Sequence, residues 1–143
     1  PVSDAVVLDL FAGTGALGLE ALSRGAQYAT FVDNGRVAQS LIRENVKKCR
    51  AEARVKIISR NATRLPANTD APATLVFLDP PYGKGLGEKA LTSALEGGWV
   101  APGALIVWED SAAITPPIGV TLLDQRRYGD TVISLCETGE ADD

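Results

Sequence analysis

The sequence predicts an α/β fold, a mostly parallel seven-stranded sheet that ends in an antiparallel hairpin. Three observations predict it. Short apolar runs alternate with amphipathic stretches as far as Trp108, the pattern of strand–helix–strand units. A glycine-spaced turn, Gly13-Thr14-Gly15, joins the first apolar run to the first amphipathic one. Two alternating runs, 120–127 and 131–136, flank Tyr128-Gly129-Asp130, a reverse-turn composition.

The first strand covers 6–10, and a helix follows over 16–23 with Leu17, Ala21 and Leu22 on its inner face. Arg24-Gly25 ends it, because glycine tolerates the left-handed turn after a helix. The second strand covers 29–33. The second helix, 36–49, carries Val37, Leu41 and Val46 as its inner stripe. The third strand is 55–59 and the fourth 74–78. Asp79-Pro80-Pro81-Tyr82 stops the fourth, since two prolines cannot extend a central strand. Gly83-Lys84-Gly85 leads into a helix over 86–95, which Gly97-Gly98 ends, and the fifth strand is 104–108. No long helix follows it, only the proline-broken stretch 114–117, and the polar tail 139–143 is expected to fray. Five parallel strands plus a closing hairpin is the Rossmann-like layout of class I S-adenosylmethionine-dependent methyltransferases, not of the all-parallel dinucleotide fold.

A chain of 143 residues suits one domain, 1–143, and buries a real core. Its apolar stretches are strand-sized, too short to span a membrane. Asp4 and Asp9 interrupt the first of them, so no signal peptide is visible and a cytoplasmic, monomeric protein is expected. Cys49 and Cys136 lie far apart and there is no histidine, which argues against a zinc site and a disulfide framework. Both are read as reduced thiols, Cys49 on a helix and Cys136 in a strand, and no metal is expected. The net charge of −4 does not help a protein grip RNA, although a local basic patch suffices. The chain begins at Pro1 and contains no Met, which suggests a trimmed fragment.

Gly13, Gly15 and Gly18 satisfy G-x-G-x-x-G after a strand and at a helix start. Glycines let backbone approach a ligand closely, and a helix N-terminus offers free N–H groups. Phe11, Ala12 and Thr14 belong to the same cofactor-binding turn. Asp33, at the end of the second strand, is placed to accept hydrogen bonds from both ribose hydroxyls, with Asn34 beside it as the helix cap and a further cofactor-binding residue. Asp9 at the mouth of the first strand would repel a pyrophosphate and attract the ammonium and sulfonium of S-adenosyl-L-methionine. Asn61-Ala62, at the end of the third strand, puts an amide where it could meet the adenine amine.

Asp79-Pro80-Pro81-Tyr82 is the sharpest signal, at the end of a strand beside the switch point where open α/β sheets bind ligands. An exocyclic amine on a base has its lone pair drawn into the ring and is a poor nucleophile. The Asp79 carboxylate and the Pro80 carbonyl, stiffened by Pro81, are acceptors for its two hydrogens and stabilise charge developing on nitrogen. Tyr82 offers a face on which a flipped-out base stacks. Asp79 also borders the cofactor. Methyl transfer would be an in-line displacement on the sulfonium, which needs positioning above all. Trp99 and Trp108 read as packing residues, and Glu109-Asp110 as a solvated loop, with the mouth of the active site as the other place for it.

With these motifs in place, the chain resembles the RsmD family of bacterial 16S ribosomal RNA guanine-N2 methyltransferases. The resemblance rests on 8–24 (LDLFAGTGALGLEALSR), 31–33 with the helix after it, 59–62, 76–82 (VFLDPPY), Gly98-Trp99-Val100 and 103–109. It implies S-adenosyl-L-methionine as cofactor, S-adenosyl-L-homocysteine as product, and one guanine of 16S RNA in the small ribosomal subunit as substrate. Family members carry a basic segment with an Arg-Pro-Thr motif before the first strand, thought to help contact RNA; it has no counterpart here, leaving Lys84, Arg126 and Arg127 as candidate contacts.

Three other readings compete. An amino-methyltransferase acting on adenine N6, cytosine N4 or a protein glutamine shares the chemistry; Asp79 opposes the glutamine class, and the length leaves no room for a DNA-recognition region. Asp9, the prolines after the fourth strand and the terminal hairpin oppose a NAD-dependent oxidoreductase. A non-catalytic RNA-assembly factor is opposed by intact Asp9, Asp33 and Asp79.

Overall fold

In a computed structural model described over residues 2–81 and 85–140, seven strands among the described residues form one sheet. The chain runs β1 (Val6–Leu10), α1 (Ala16–Ser23), β2 (Tyr28–Val32), α2 (Arg36–Lys48), β3 (Val55–Ile58), β4 (Ala73–Leu78), α3 (Leu86–Glu96), β5 (Val100–Asp110), β6 (Val120–Tyr128) and β7 (Thr131–Thr138). The strand order is β3-β2-β1-β4-β5-β7-β6. Strands β1 to β5 are parallel, and β7 runs antiparallel between β5 and β6.

Period-two alternation sends successive strand residues to opposite faces. Leu8, Leu10, Val76, Leu78, Ile106 and Trp108 pack on one face with Ala90, Leu91 and Ala94 of α3. Val7, Ala29, Phe31 and Leu75 pack on the other with Ala21 and Leu22 of α1 and Ile42 and Val46 of α2. Parallel crossovers are right-handed. The strand order reverses between β1–β2–β3 and β4–β5, so helices fall on both faces and a crevice opens at the C-terminal ends of β1 and β4.

Four details depart from the sequence expectations. The inner stripe of α2 is Gln39, Ile42 and Val46, while Val37 is 74% exposed and Leu41 is exposed too. The Gln39 amide causes this: Nε2 donates to the carbonyls of Asp33 and Ile58, closing the ends of β2 and β3, and the helix turns to bury it. Hydrogen bonding to strand ends outranks the apolar side chains there. Leu17 likewise faces out, because Gly18, Ala21 and Leu22 form the buried face of α1. The cap of α2 is Gly35, not Asn34, and its N–H donates to Asp33 Oδ1 (2.8 Å). Finally, β5 starts at Val100. A register shift between Ala73 and Leu75 lets Pro102 and Gly103 sit inside the strand, and Thr138 Oγ1 bridges Ala101 O (2.8 Å) and Ala104 N (2.7 Å) across it.

Trp99 and Trp108 are buried, as packing residues. Both cysteines are free, Cys49 exposed and Cys136 buried. No described helix is long and apolar enough to cross a membrane.

Candidate active site

The C-terminal ends of β1, β2, β3 and β4 converge on a cleft of about 460 Å³, lined by Phe11, Asp33, Asn34, Asn61, Ala62, Asp79, Pro80, Pro81 and Leu86. Two carboxylates border it and no described cation does. Another cavity, about 360 Å³, opens at the N-terminal ends of the strands beside Val6, Tyr28 and Ala73. Open parallel sheets bind ligands at the other end, where the motifs converge, so the cleft is the candidate site.

The turn after β1 is held in an unusual shape. Phe11, Gly13 and Gly15 all have positive φ, at 58°, 59° and 79°. Two glycines take this conformation without steric cost, while Phe11 is held there against its own preference. Ala12 N–H donates to Val32 O (3.0 Å) and Gly13 N–H to Asp33 Oδ2 (3.0 Å). Asp33 thus spans the first turn and the start of α2. Each of its oxygens accepts one backbone N–H and keeps a lone pair for a ligand hydroxyl.

Asp9 occupies a different place from the cleft residues. It is 2% exposed and lies beneath the turn, where its Oδ2 accepts the Gly18 N–H (3.1 Å). Burial dominates its ionisation, with the charges of Asp79 and Asp33 adding to it, and against the Gly18 hydrogen bond pushes its pKa up to about 8. In the unliganded protein Asp9 is therefore largely protonated at neutral pH, and its pull on a cation is weaker than a free carboxylate's.

Gly18 packs where no side chain fits. A Cβ there would lie 2.4 Å from Phe31 Cε1 and 2.8 Å from Cζ, and that ring is fully buried. Gly18→Ala is expected to cost roughly 1–3 kcal/mol through overpacking and to lower the Tm by several degrees in a thermal melt. An unchanged Tm would contradict this packing.

At the end of β3, Asn61 Oδ1 accepts from Thr63 N–H (2.9 Å) and Thr63 Oγ1 (2.7 Å). This leaves its Nδ2 as a donor suited to a ring nitrogen, rather than its oxygen to an exocyclic amine. At the end of β4, Asp79 is exposed to the cleft and Pro80 is buried beside it. Desolvation, then the charges of Glu109 and Asp110, push Asp79 up to about 6. Glu109 and Asp110 end β5 alongside β4, where Leu78 pairs with Trp108. They belong to β5 rather than to a solvated loop, and they act on Asp79 electrically, as the alternative of a place near the site mouth would have it.

The structure brings Phe11, Asp33, Asn34, Asn61, Ala62, Asp79, Pro80 and Pro81 to one cleft. Ala12, Gly13, Thr14, Gly15 and Gly18 form the turn and helix start next to it, with Thr14 O accepting from Asn45 Nδ2 (2.9 Å). Tyr82 and Lys84 lie outside the described residues. Arg126 pairs with Asp124 (3.1 Å), and Arg127 is exposed on β6. Sequence reasoning missed Leu86, which lines the cleft as the first residue of α3, and Gln39, whose signal was an amide inside an amphipathic pattern.

A family profile described as Conserved hypothetical protein 95 matches residues 2–137. The Ribosomal RNA small subunit methyltransferase D of Escherichia coli (strain K12) is 34% identical over 147 residues, covering 99% of this chain and 74% of the relative. The chain belongs to this family, the RsmD family. The protein of the same name from Haemophilus influenzae is 37% identical over 128 residues, covering 85% of this chain and 66% of that relative. The solved structure of the yhhF protein from Escherichia coli superposes with a TM-score of 0.86 at 32% identity, over 98% of this chain and 78% of that one. The RsmD-family chain has the class I methyltransferase fold, its sheet ending in the antiparallel β6–β7 hairpin.

Proposed function

We propose that this chain transfers the methyl group of S-adenosyl-L-methionine to the exocyclic N2 amine of a guanine in 16S ribosomal RNA, releasing S-adenosyl-L-homocysteine. One observation carries the reading: Asp33 and Asp79 line the same cleft, from the ends of β2 and β4. The donor set suits the cofactor. Asp33 keeps acceptor capacity for ribose hydroxyls, and Asn61 Nδ2 is free to donate to an adenine ring nitrogen. A cleft with two carboxylates and no described cation favours a sulfonium and disfavours a pyrophosphate, which counts against the oxidoreductase reading.

When bound, the cofactor supplies an electrophilic methyl on sulfur. The residues of the chain do the rest by positioning. Asp79, when ionised, accepts a hydrogen bond from the target amine, and the Pro80 carbonyl accepts a second. The two acceptors turn the nitrogen lone pair toward the methyl and stabilise the charge that develops on nitrogen. Ribosomal RNA as the carrier is supported by the relatives' names, and guanine as the base by the family resemblance alone.

The test uses the purified protein with tritiated cofactor and unmethylated small subunits, naked 16S RNA or DNA, followed by nucleoside analysis. Label in N2-methylguanosine from ribosomal RNA is expected; label in N6-methyladenosine, in DNA or in no nucleic acid would overturn the substrate assignment. The cofactor assignment has its own check. Saturating S-adenosyl-L-methionine, at about 100 times its Kd, should raise the Tm by on the order of 10 °C, and NAD should not.

A further inference from the structure

We propose that a groove beside the cleft, between the turn after β3 and α3, seats a backbone phosphate of the substrate RNA next to the target nucleotide, held by Arg64 and Lys89. This rests on the RNA-substrate reading above. The groove encloses about 470 Å³, and Leu86 lines both it and the cleft, so the two are continuous. Lys89 lies one turn further along α3 from Leu86, and Arg64 lies three residues beyond Asn61 of the cleft.

The groove is built rather than incidental. Arg64 N–H donates to Asn61 O (2.9 Å), and Leu65 N–H donates to Ser93 Oγ on α3 (2.9 Å). The turn is thereby tied to the helix, and Arg64 lines the groove from the turn and Lys89 from α3. Neither the Arg64 nor the Lys89 side chain forms an ion pair or side-chain hydrogen bond with a described residue. Ser93 and Thr92 add hydroxyls. Glu96 closes the far end, seven residues or about 10 Å along the helix from Lys89.

Charge supplies the need for such a seat. The chain carries −4 overall, and Asp79, Glu109 and Asp110 crowd the edge where the base must enter. A polyanion reaches that edge against repulsion unless cations meet it beside the cleft. Paired phosphate contacts give RNA binding its salt dependence, so the seat has a direct readout.

The experiment compares wild type with Arg64→Gln/Lys89→Gln in methylation of unmethylated 16S RNA or small subunits across a salt series. In the double variant KM for RNA should rise by about tenfold, and the slope of log KM against log salt should fall by roughly 1.4, about 0.7 for each lost single-strand contact. The kcat at saturating RNA and the affinity for S-adenosyl-L-homocysteine should stay put. Arg64→Lys/Lys89→Arg, which keeps the charge, should restore wild-type KM and slope. Lys47→Gln/Lys48→Gln, at the other end of α2, makes the same charge change away from the site and should leave both unaltered. A double variant whose KM and salt slope match wild type overturns the phosphate seat, as does an equal effect from the Lys47 and Lys48 changes. Wild type that methylates no RNA overturns the substrate reading itself, and that failure is visible before any variant is compared.

Discussion

Asp79→Ala should lower kcat for methyl transfer by about 10²–10³-fold, the usual cost of removing one preorganised electrostatic partner of a transition state. Cofactor affinity should stay within a few fold, because the proposed ribose and adenine contacts are given to Asp33 and Asn61, at the ends of β2 and β3. Asp79→Asn keeps a weaker acceptor and should fall between the two. The same residue sets a pH dependence. Its pKa is raised above the ordinary carboxylate value, so the accepting, ionised form is present above about pH 6 and lost below it. The kcat/KM of the free enzyme should therefore fall about tenfold per pH unit on the acid side of that inflection. Burial is the largest cause and the Glu109 charge the next, so Glu109→Gln should move the inflection to lower pH. A kcat for Asp79→Ala within a few fold of wild type would remove Asp79 from the chemistry. Steady-state rates between pH 5 and 8, with cofactor binding measured separately, decide the matter.

Asp9→Asn should stabilise the unliganded protein at pH 8. The folded state holds the Asp9 proton with a pKa of about 8, against 3.8 as the ordinary value, so between those limits the folded chain binds a proton that the unfolded chain has released. Stability then falls as pH rises through that window, by about 1.4 kcal/mol per unit for this one group. Near pH 8 the accumulated cost is several kcal/mol, a large share of the stability of an ordinary domain. Asparagine keeps an oxygen for the Gly18 N–H and removes the ionisation. Its unpaired amide hydrogens cost roughly 1–3 kcal/mol in return, which leaves a net gain at pH 8 and a loss near pH 4. Urea unfolding of both proteins at several pH values tests it: parallel stability–pH curves would show that Asp9 is not the titrating group.

Much of this was legible in the chain, for identifiable reasons. Strand ends were readable where polar or proline residues interrupt apolar runs, so Asp33, Asn61 and Asp79 could be assigned to one edge before any coordinates. The glycine turn was readable because Gly13 and Gly15 adopt conformations other residues resist. Side-chain direction was less so. Val37, Leu41 and Leu17 satisfy an apolar periodicity, yet the buried faces are set by Gln39 and by the close packing of Gly18 on Phe31. A hydrogen bond to a distant strand end, or a missing side chain, leaves no trace in a hydrophobic pattern. Asp9 shows the same gap: its position in the motif was evident, its burial was not, and burial decides its charge. The start of β5 was hidden because Pro102 and Gly103 mimic a turn while sitting in a register shift.

The order of the last two strands has a consequence for how the molecule assembles. Strand β6 pairs with β7 and with no other described strand, while β7 fills the space between β6 and β5. During synthesis on a ribosome, residues 120–128 therefore emerge before the neighbour that will hold them, and the outer side of β5 stays an open edge until 131–138 arrive. Open edges invite mispairing between chains. The open edge of β5 is thus closed only when the eight-residue strand β7 slots between it and β6.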